Sequence, residues 1–163
     1  QRVATIAKAL GMTTLGVKRD LSTGSDTVDE LHSPEAFPGL LARADVVVLC
    51  CPLTDQTANL IDENALAAMR PSAYLINVAR GGCVDEPALI GALQTGEIAG
   101  AGIDTTVDEP LSTESVLWDL SNVILTPHTA GETQSYEENV LDILLENLDR
   151  LWRGEEELYN QIV

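Results

Sequence analysis

The chain has 163 residues and carries 26 acidic side chains against 9 basic ones, which gives a formal net charge of −17. A surface this acidic repels nucleic acid phosphates and anionic membranes, so the charge argues against partners of either kind. Hydrophobic residues make up 45% of the chain, which excludes a disordered chain. No apolar run reaches the roughly 20 residues that a membrane-spanning helix needs. Two interpretations of this charge stay open: an ordinary acidic surface, and adaptation to high salt, which would screen the self-repulsion.

The three cysteines are Cys50, Cys51 and Cys83. Their number is odd and two of them are adjacent in an apolar run, which favours reduced thiols and a cytoplasmic location over a disulfide framework. No spacing of cysteines and histidines resembles a zinc site. We therefore expect no structural disulfide and no metal.

The predicted elements alternate between helices and strands along the chain. Apolar residues at helical spacing predict a helix over 1–10, and a polar stretch containing Gly24 and Pro34 predicts a loop over 20–34. The run ADVVVLCC at 44–51 has no polar alternation, which indicates a strand buried on both faces of a parallel sheet. The other predicted helices are 35–43, 62–69, 86–94, 113–119 and 132–153. The other predicted strands are 13–18, 72–78, 98–104 and 122–126.

Five strands separated by helices predict a doubly wound, Rossmann-type α/β domain with right-handed crossovers. Such a domain normally opens with a strand, whereas this chain opens in a helix without an N-cap residue. We therefore expect a strand and a turn to precede Gln1. The predicted domain spans 1–153, and 154–163 is predicted to be a C-terminal tail.

Polar side chains that could carry chemistry follow the predicted strands, and ligands of open parallel sheets bind beyond these carboxyl ends. Arg80 follows strand 72–78, Asp104 ends strand 98–104 with Glu109 shortly after, and His128 follows strand 122–126. A guanidinium can clamp a carboxylate through two hydrogen bonds, and a histidine can pass a proton near neutral pH. A carboxylate beside the histidine favours the protonated imidazole. The combination indicates reduction of a 2-oxo acid by hydride from a nicotinamide cofactor.

Three longer runs carry a resemblance to a known family. They are NVARGGCVDEPALIGAL at 77–93, AGAGIDTTVDEPL at 99–111 and NVILTPHTAG at 122–131. In this order and spacing they resemble the signatures of the D-isomer-specific 2-hydroxyacid dehydrogenases, and the likeness extends over essentially the whole chain. The resemblance implies an NAD(P)-binding domain whose first strand, glycine-rich loop and partner substrate domain lie upstream. We therefore expect little or no turnover from residues 1–163 alone.

The resemblance also implies roles for individual residues. Arg80 would clamp the substrate, His128 would donate and accept the proton, and Glu109 would assist His128. A further set of positions would contact the dinucleotide, several of them through backbone atoms, with Asp104 facing the nicotinamide. These positions are Cys51, Thr57, Val78, Ala79, Arg80, Asp104, His128, Ala130 and Gly131.

Lys18 and Arg19, at the end of the strand predicted over 13–18, bear on the choice of cofactor. NAD-preferring members of the family place an acidic residue at position 18, where it binds the ribose hydroxyls. Two cations here favour NADP over NAD, because they would suit its additional phosphate. In the alternative interpretation, both side chains point into solvent and Asp20 turns inward.

The expected function is that of an oxidoreductase which reduces a 2-oxo acid, such as glyoxylate or hydroxypyruvate, to a D-2-hydroxy acid. The resemblance implies a homodimer. Two alternatives stay open at this point: a dinucleotide-sensing regulator like the transcriptional corepressors of this fold, and a phosphoglycerate dehydrogenase.

Overall fold

The computed structural model describes residues 1–22 and 24–161. They belong to two compact units, which meet in the sequence between His128 and Thr129. The strands are β1 (Leu15–Val17), β2 (Glu30–His32), β3 (Val46–Leu49), β4 (Tyr74–Asn77), β5 (Gly100–Ile103) and β6 (Val123–Leu125). The helices are α1 (Arg2–Ala9), α2 (Phe37–Leu41), α3 (Glu63–Ala68), α4 (Glu86–Thr95) and α5 (Tyr136–Trp152). Short 3-10 helices cover Pro34–Ala36, Gly81–Cys83 and Val116–Asp119.

Every strand pair in the first unit is parallel. Strands β3, β4, β5 and β6 form a four-stranded sheet in that order, and β1 pairs with β2 in a separate two-stranded sheet. The carboxyl ends of β3 to β6 therefore lie along one edge of the larger sheet. The predicted fold class, an α/β domain with a parallel sheet, is confirmed.

The core of the first unit packs helices α3 and α4 against the four-stranded sheet. Both helices begin at an aspartate whose carboxylate accepts a backbone N–H from the first turn: Asp62 from Ala65 and Asp85 from Ala88. Helix α4 ends at Gly96, whose φ of 73° is a left-handed C-cap that glycine adopts without strain. The fully buried large side chains are Leu41, Ile61, Leu66, Leu75, Ile98 and Leu117.

Strand β2 corrects the prediction of a continuous loop over 20–34, and it raises the number of strands among the described residues from five to six. The carboxylate of Asp29 accepts hydrogen bonds from the backbone N–H and the hydroxyl of Thr14, each at 2.8 Å. These contacts hold the start of β2 beside the start of β1. A strand of three half-buried residues that depends on such pairing leaves no apolar pattern in the sequence, which is why the prediction missed it.

The second unit consists mainly of α5, which accounts for most of the helix predicted over 132–153. Arg150 forms an ion pair with Glu146, one turn earlier, at 2.7 Å. The helix also exposes apolar side chains, and Leu145, Leu151 and Trp152 are each more than half exposed. In the part of the chain that the structure describes, no helix is both long and apolar enough to span a bilayer.

Candidate active site

Arg80 lies in the turn that follows β4, and Asn77 shapes this turn. The Asn77 side chain is buried, donates from Nδ2 to the Arg80 carbonyl at 3.0 Å and accepts from the Ala79 N–H at 3.0 Å. Arg80 itself is exposed, and its Nη1 donates to the Ala79 carbonyl at 2.7 Å. Two hydrogen bonds from one buried amide thus fix the backbone that presents the guanidinium at the carboxyl edge of the sheet.

Gly81 brings the Arg80 turn into contact with the loop after β5. A Cβ atom at this position would lie 2.1 Å from the carbonyl carbon and oxygen of Thr106, and 2.4 Å from the nitrogen of Val107. Real Cβ atoms do not approach backbone atoms this closely, so only glycine fits here. The absence of a side chain at this position allows the segment carrying Arg80 to pack on the segment that leads to Glu109.

Glu109 and His128 form the central contact of the site. Nδ1 of His128 lies 2.9 Å from one carboxylate oxygen of Glu109, and the other oxygen accepts from the Thr106 N–H at 3.3 Å. The hydrogen bond from His128 is the main cause that lowers the pKa of Glu109, and the Thr106 N–H and the positive charge of Arg80 lower it further. Glu109 is therefore ionised near neutral pH and can only accept, so Nδ1 of His128 is the donor and Nε2 is left for a ligand.

The backbone of His128 is held in an unusual conformation. Its φ of 56° is left-handed, which costs a non-glycine residue on the order of 1 kcal/mol. Its N–H donates to the carbonyls of Asp104, at 2.9 Å, and Thr126, at 3.1 Å. Asp104 is buried, and its carboxylate accepts from the Thr126 hydroxyl at 2.5 Å. Asp104 thus ties the loop that carries His128 to the end of β5.

A groove of about 430 Å³ opens beside Arg80, between the ends of β3 and β4. This volume lies within the roughly 300–1,000 Å³ that is usual for ligand sites. The groove is lined by Cys50, Cys51, Pro52, Leu53, Val78, Ala79 and Arg80. Four of the residues predicted to contact a dinucleotide therefore meet here: Cys51, Val78, Ala79 and Arg80. The mixed polar and apolar lining fits a cofactor bound through backbone groups and apolar contacts.

Cys51 and Thr57 hold the loop after β3 in different ways. Burial is the main cause that raises the pKa of the Cys51 thiol to about 11, and the neighbouring Cys83 thiol adds to it. Cys51 is therefore a neutral packing residue at neutral pH rather than a reactive thiolate. The Thr57 hydroxyl donates to the Pro52 carbonyl at 2.6 Å and accepts from the Thr54 N–H at 2.8 Å. Thr57 thus closes its own loop and does not line the groove.

Lys18 and Arg19, which were predicted to bind the cofactor, do not line this groove. Lys18 follows β1, and its Nζ donates to the Gly24 carbonyl at 2.8 Å. The next residue, Arg19, is exposed. The Asp20 carboxylate accepts from the Ser22 N–H at 2.8 Å, so it caps its own turn. Ala130 and Gly131 belong to the second unit.

Sequence reasoning missed several residues that build the site. Asn77 had a usable signal, because it is a polar residue at the end of an otherwise apolar strand. Glu86 had none, since an acidic residue in the first turn of a helix is common; its carboxylate accepts from the Val107 N–H at 3.2 Å. Among residues 1–22 and 24–161, no three Asp, Glu, His or Cys side chains are grouped as metal ligands would be.

A parallel α/β domain with an arginine, a carboxylate and a histidine beyond its strand ends has the architecture of a dinucleotide-dependent oxidoreductase domain. The chain belongs to the D-isomer specific 2-hydroxyacid dehydrogenase family, because the sequence model of that family's NAD-binding domain matches residues 1–130. The resemblance predicted from the three sequence runs is thereby confirmed.

Individual relatives agree with this assignment. A glyoxylate reductase from Thermococcus gammatolerans is 41% identical over 157 residues, which are 95% of this chain and 46% of that protein. A D-3-phosphoglycerate dehydrogenase from Synechocystis is 42% identical over 139 residues, which are 85% of this chain and 24% of that protein. The chain thus spans less than half the length of either curated relative.

A solved structure matches the fold over nearly the whole chain. It is a D-isomer specific 2-hydroxyacid dehydrogenase from Xanthobacter autotrophicus Py2 in complex with NADPH and MES. The TM-score is 0.88 at 36% identity, and the match covers 99% of this chain and 66% of that one. The predicted Rossmann-type domain is confirmed by this likeness.

Proposed function

We propose that the protein containing this chain reduces a 2-oxo acid to a D-2-hydroxy acid with hydride from NAD(P)H. The observation that carries the proposal is the 2.9 Å contact between His128 and an ionised Glu109, with Arg80 close enough to lower the pKa of Glu109. This arrangement brings a histidine, a carboxylate and an arginine together at one sheet edge, which supports a role in proton transfer and substrate binding. The family membership and the names of the relatives support the same reaction class.

Arg80 is proposed to bind the substrate carboxylate and to polarise the adjacent carbonyl. Its guanidinium is planar and permanently charged, so it can donate two parallel hydrogen bonds to a carboxylate. Asn77 and Gly81 fix the backbone on either side of it, which lowers the cost of orienting the substrate.

His128 is proposed to deliver a proton from Nε2 to the carbonyl oxygen as that oxygen gains negative charge. Glu109 fixes the ring through Nδ1 and stabilises the imidazolium form before the transfer. The nicotinamide, when bound, supplies the hydride to the carbonyl carbon. In the reverse direction the neutral imidazole would take the proton from the hydroxyl of the 2-hydroxy acid.

Cys51, Val78 and Ala79 are proposed to line the cofactor site, with Asp104, Thr57, Ala130 and Gly131 as supporting positions. We favour NADP, because Lys18 and Arg19 follow β1 where a preference for NAD would call for an acid. Since Lys18 already donates to Gly24, Arg19 is the better candidate for the additional phosphate. The solved relative that contains NADPH agrees with this choice.

The cofactor proposal is tested by the ratio of kcat/KM for NADPH and NADH in the complete natural protein. We expect NADPH to be preferred, and Arg19→Met to raise the KM for NADPH while leaving that for NADH unchanged. Arg43→Met, which removes another exposed arginine of the same unit, is the matched control. A preference for NADH would overturn the proposal.

Phosphoglycerate dehydrogenase is the second candidate, since the Synechocystis relative carries that name at 42% identity. The two candidates are separated by measuring NADPH or NADH oxidation with glyoxylate, hydroxypyruvate and 3-phosphohydroxypyruvate. We expect turnover with the unphosphorylated acids. Turnover confined to the phosphorylated acid would replace the first candidate with the second.

We also propose that the enzyme is a cytoplasmic homodimer. Sedimentation would check the oligomeric state, and cell fractionation would check the location.

A further inference from the structure

The peptide bond between Thr106 and Val107 is held from two directions. On one side the Gly81 backbone packs against it so closely that no side chain fits between them. On the other side the Val107 N–H donates to the carboxylate of Glu86 at 3.2 Å. This peptide lies at the start of the short segment that ends at Glu109, and the Thr106 N–H also donates to the Glu109 carboxylate.

Glu86 is not needed to cap its own helix. It follows the N-cap residue Asp85, whose carboxylate already accepts from the Ala88 N–H at 3.1 Å. Glu86 is half-buried, and together with Asn77 and Thr105 it lines a small cavity under the Arg80 turn. Its carboxylate reaches across 21 residues of sequence to the loop after β5.

We infer that Glu86 is a positioning residue, which fixes the 106–109 segment so that the Glu109 carboxylate meets His128. The inference rests on the proposed function only for its catalytic consequence, because the mechanical role concerns the loop itself. A carboxylate that accepts a backbone N–H forms a charge-assisted hydrogen bond, which is stronger than one between neutral groups. Without this acceptor the segment would retain the Gly81 packing, the bonds that it makes within itself and the contact of the Glu109 carboxylate with His128.

Two substitutions separate positioning from charge. Glu86→Gln removes the negative charge and keeps an oxygen that can accept from Val107, whereas Glu86→Met keeps the length of the side chain and removes the acceptor. Loss of the charge by itself would lower the pKa of Glu109 equally in both variants. Loss of positioning would raise that pKa in Glu86→Met alone, because the contacts of Glu109 with His128 and Thr106 would weaken.

Glu63 supplies the matched control. It occupies the first position of α3, directly after the N-cap residue Asp62, as Glu86 does in α4 after Asp85. Its side chain is exposed and has no hydrogen bond to the described residues. Glu63→Met and Glu63→Gln therefore reproduce the changes in helix propensity, charge and helix-dipole interaction without touching the active-site loop.

The first measurement is hydrogen exchange of the segment 105–109, followed by mass spectrometry in the complete protein. We expect exchange to accelerate on the order of tenfold in Glu86→Met, clearly less in Glu86→Gln, whose neutral oxygen still accepts from Val107, and not at all in either Glu63 variant. Equal exchange in the Met and Gln variants of Glu86 would overturn the inference. Because Glu86→Gln keeps an acceptor for the Val107 N–H, a general loss of structure in it would also count against the inference.

The second measurement is the pH profile of kcat/KM. Glu86→Met should lose up to about a hundredfold in kcat, with its acid limb at higher pH than that of Glu86→Gln. Identical acid limbs in the two variants would contradict a positioning role. If the unmodified protein turned over none of the tested 2-oxo acids, the proposed function would fail, and hydrogen exchange would still decide the role of Glu86.

Discussion

The α carbon of Gly81 lies so close to Thr106 that a Cβ atom there would come within 2.1 Å of the Thr106 carbonyl carbon. Two loops that carry different parts of the candidate site thereby touch through their backbones. The relative placement of Arg80 and Glu109 depends on this contact. Because residue 81 is a glycine, the loops that follow β4 and β5 can pack directly against each other.

Gly81→Ala should therefore destabilise the domain and disturb the site. The obstacle is backbone that cannot rotate away, so we expect a loss of about 1–3 kcal/mol or more in the free energy of unfolding by urea. Gly91→Ala is the matched control, because Gly91 lies within α4 with open space around it. That change should stabilise by about 0.4–1 kcal/mol. Equal effects of the two substitutions would refute the tight contact.

Glu109→Gln should reduce kcat/KM by about 10²-fold or more, because the imidazolium form of His128 loses the charge that favours it. The pKa of Glu109 lies below its ordinary value, so the unmodified enzyme should keep its activity until the pH falls below the usual carboxyl range. The acid limb due to Glu109 should then be absent in the variant. An unaltered pH profile of kcat/KM would exclude Glu109 as the partner of His128.

Arg80→Lys should behave as a severe change although the charge is kept. An ammonium group cannot reproduce the paired, planar hydrogen bonds of a guanidinium to a carboxylate. We expect kcat/KM for 2-oxo acids to fall at least tenfold, because the variant loses a charge-assisted hydrogen bond to the substrate. Arg70→Lys, at an exposed arginine paired with Asp45, is the control and should leave kcat/KM unchanged. The idea fails if both variants retain full activity.

Asp29→Asn should weaken the ion pair that joins Lys8 of α1 to the residue directly before β2. The Lys8 ammonium nitrogen lies 2.9 Å from a carboxylate oxygen of Asp29, and Thr14 donates hydrogen bonds to the same carboxylate. These contacts lower the pKa of Asp29 from its ordinary value of 3.8 to about 2. A carboxyl whose pKa falls on folding stabilises the folded state above its unfolded pKa, and this contribution is lost as the pH falls through the folded value.

The variant should accordingly be less stable than the unmodified chain at pH 7, and the difference should shrink between pH 4 and pH 2. Urea unfolding at several pH values would measure this, with Asp26→Asn, at an exposed aspartate of the same loop, as the control. A difference in stability that does not depend on pH would contradict the assigned cause.

Much of the fold could be predicted from the sequence because buried parallel strands are continuous apolar runs. The run around Val46–Leu49 forms β3 of the parallel sheet. The prediction that this strand is buried on both faces is wrong, because Val47 and Leu49 are buried while Val46 is 37% exposed. Strand β2 could not be predicted in this way, since its three residues depend on contacts with Thr14 and β1 rather than on periodicity. The apolar pattern therefore predicted the strands whose burial requires apolar residues. It did not predict β2, which is held by its pairing with β1.

The same distinction applies to the candidate site. Residue type and order pointed to Arg80, Glu109 and His128, and the structure adds the contact between the last two. Sequence gave no sign that Lys18 would donate to Gly24, or that Glu86 would reach Val107, because both contacts depend on loop conformation. The predicted roles of these residues toward substrate and cofactor remain predictions.

The role proposed for His128 is transfer of the proton during reduction of a 2-oxo acid, with its ring oriented by Glu109. It is tested most directly by steady-state oxidation of NADPH with glyoxylate and hydroxypyruvate, using the complete protein and its His128→Asn variant. We predict clear turnover by the unmodified protein and a loss of about 10²–10⁴-fold in kcat for the variant, with an unchanged circular dichroism spectrum. A variant as active as the unmodified enzyme would contradict the account.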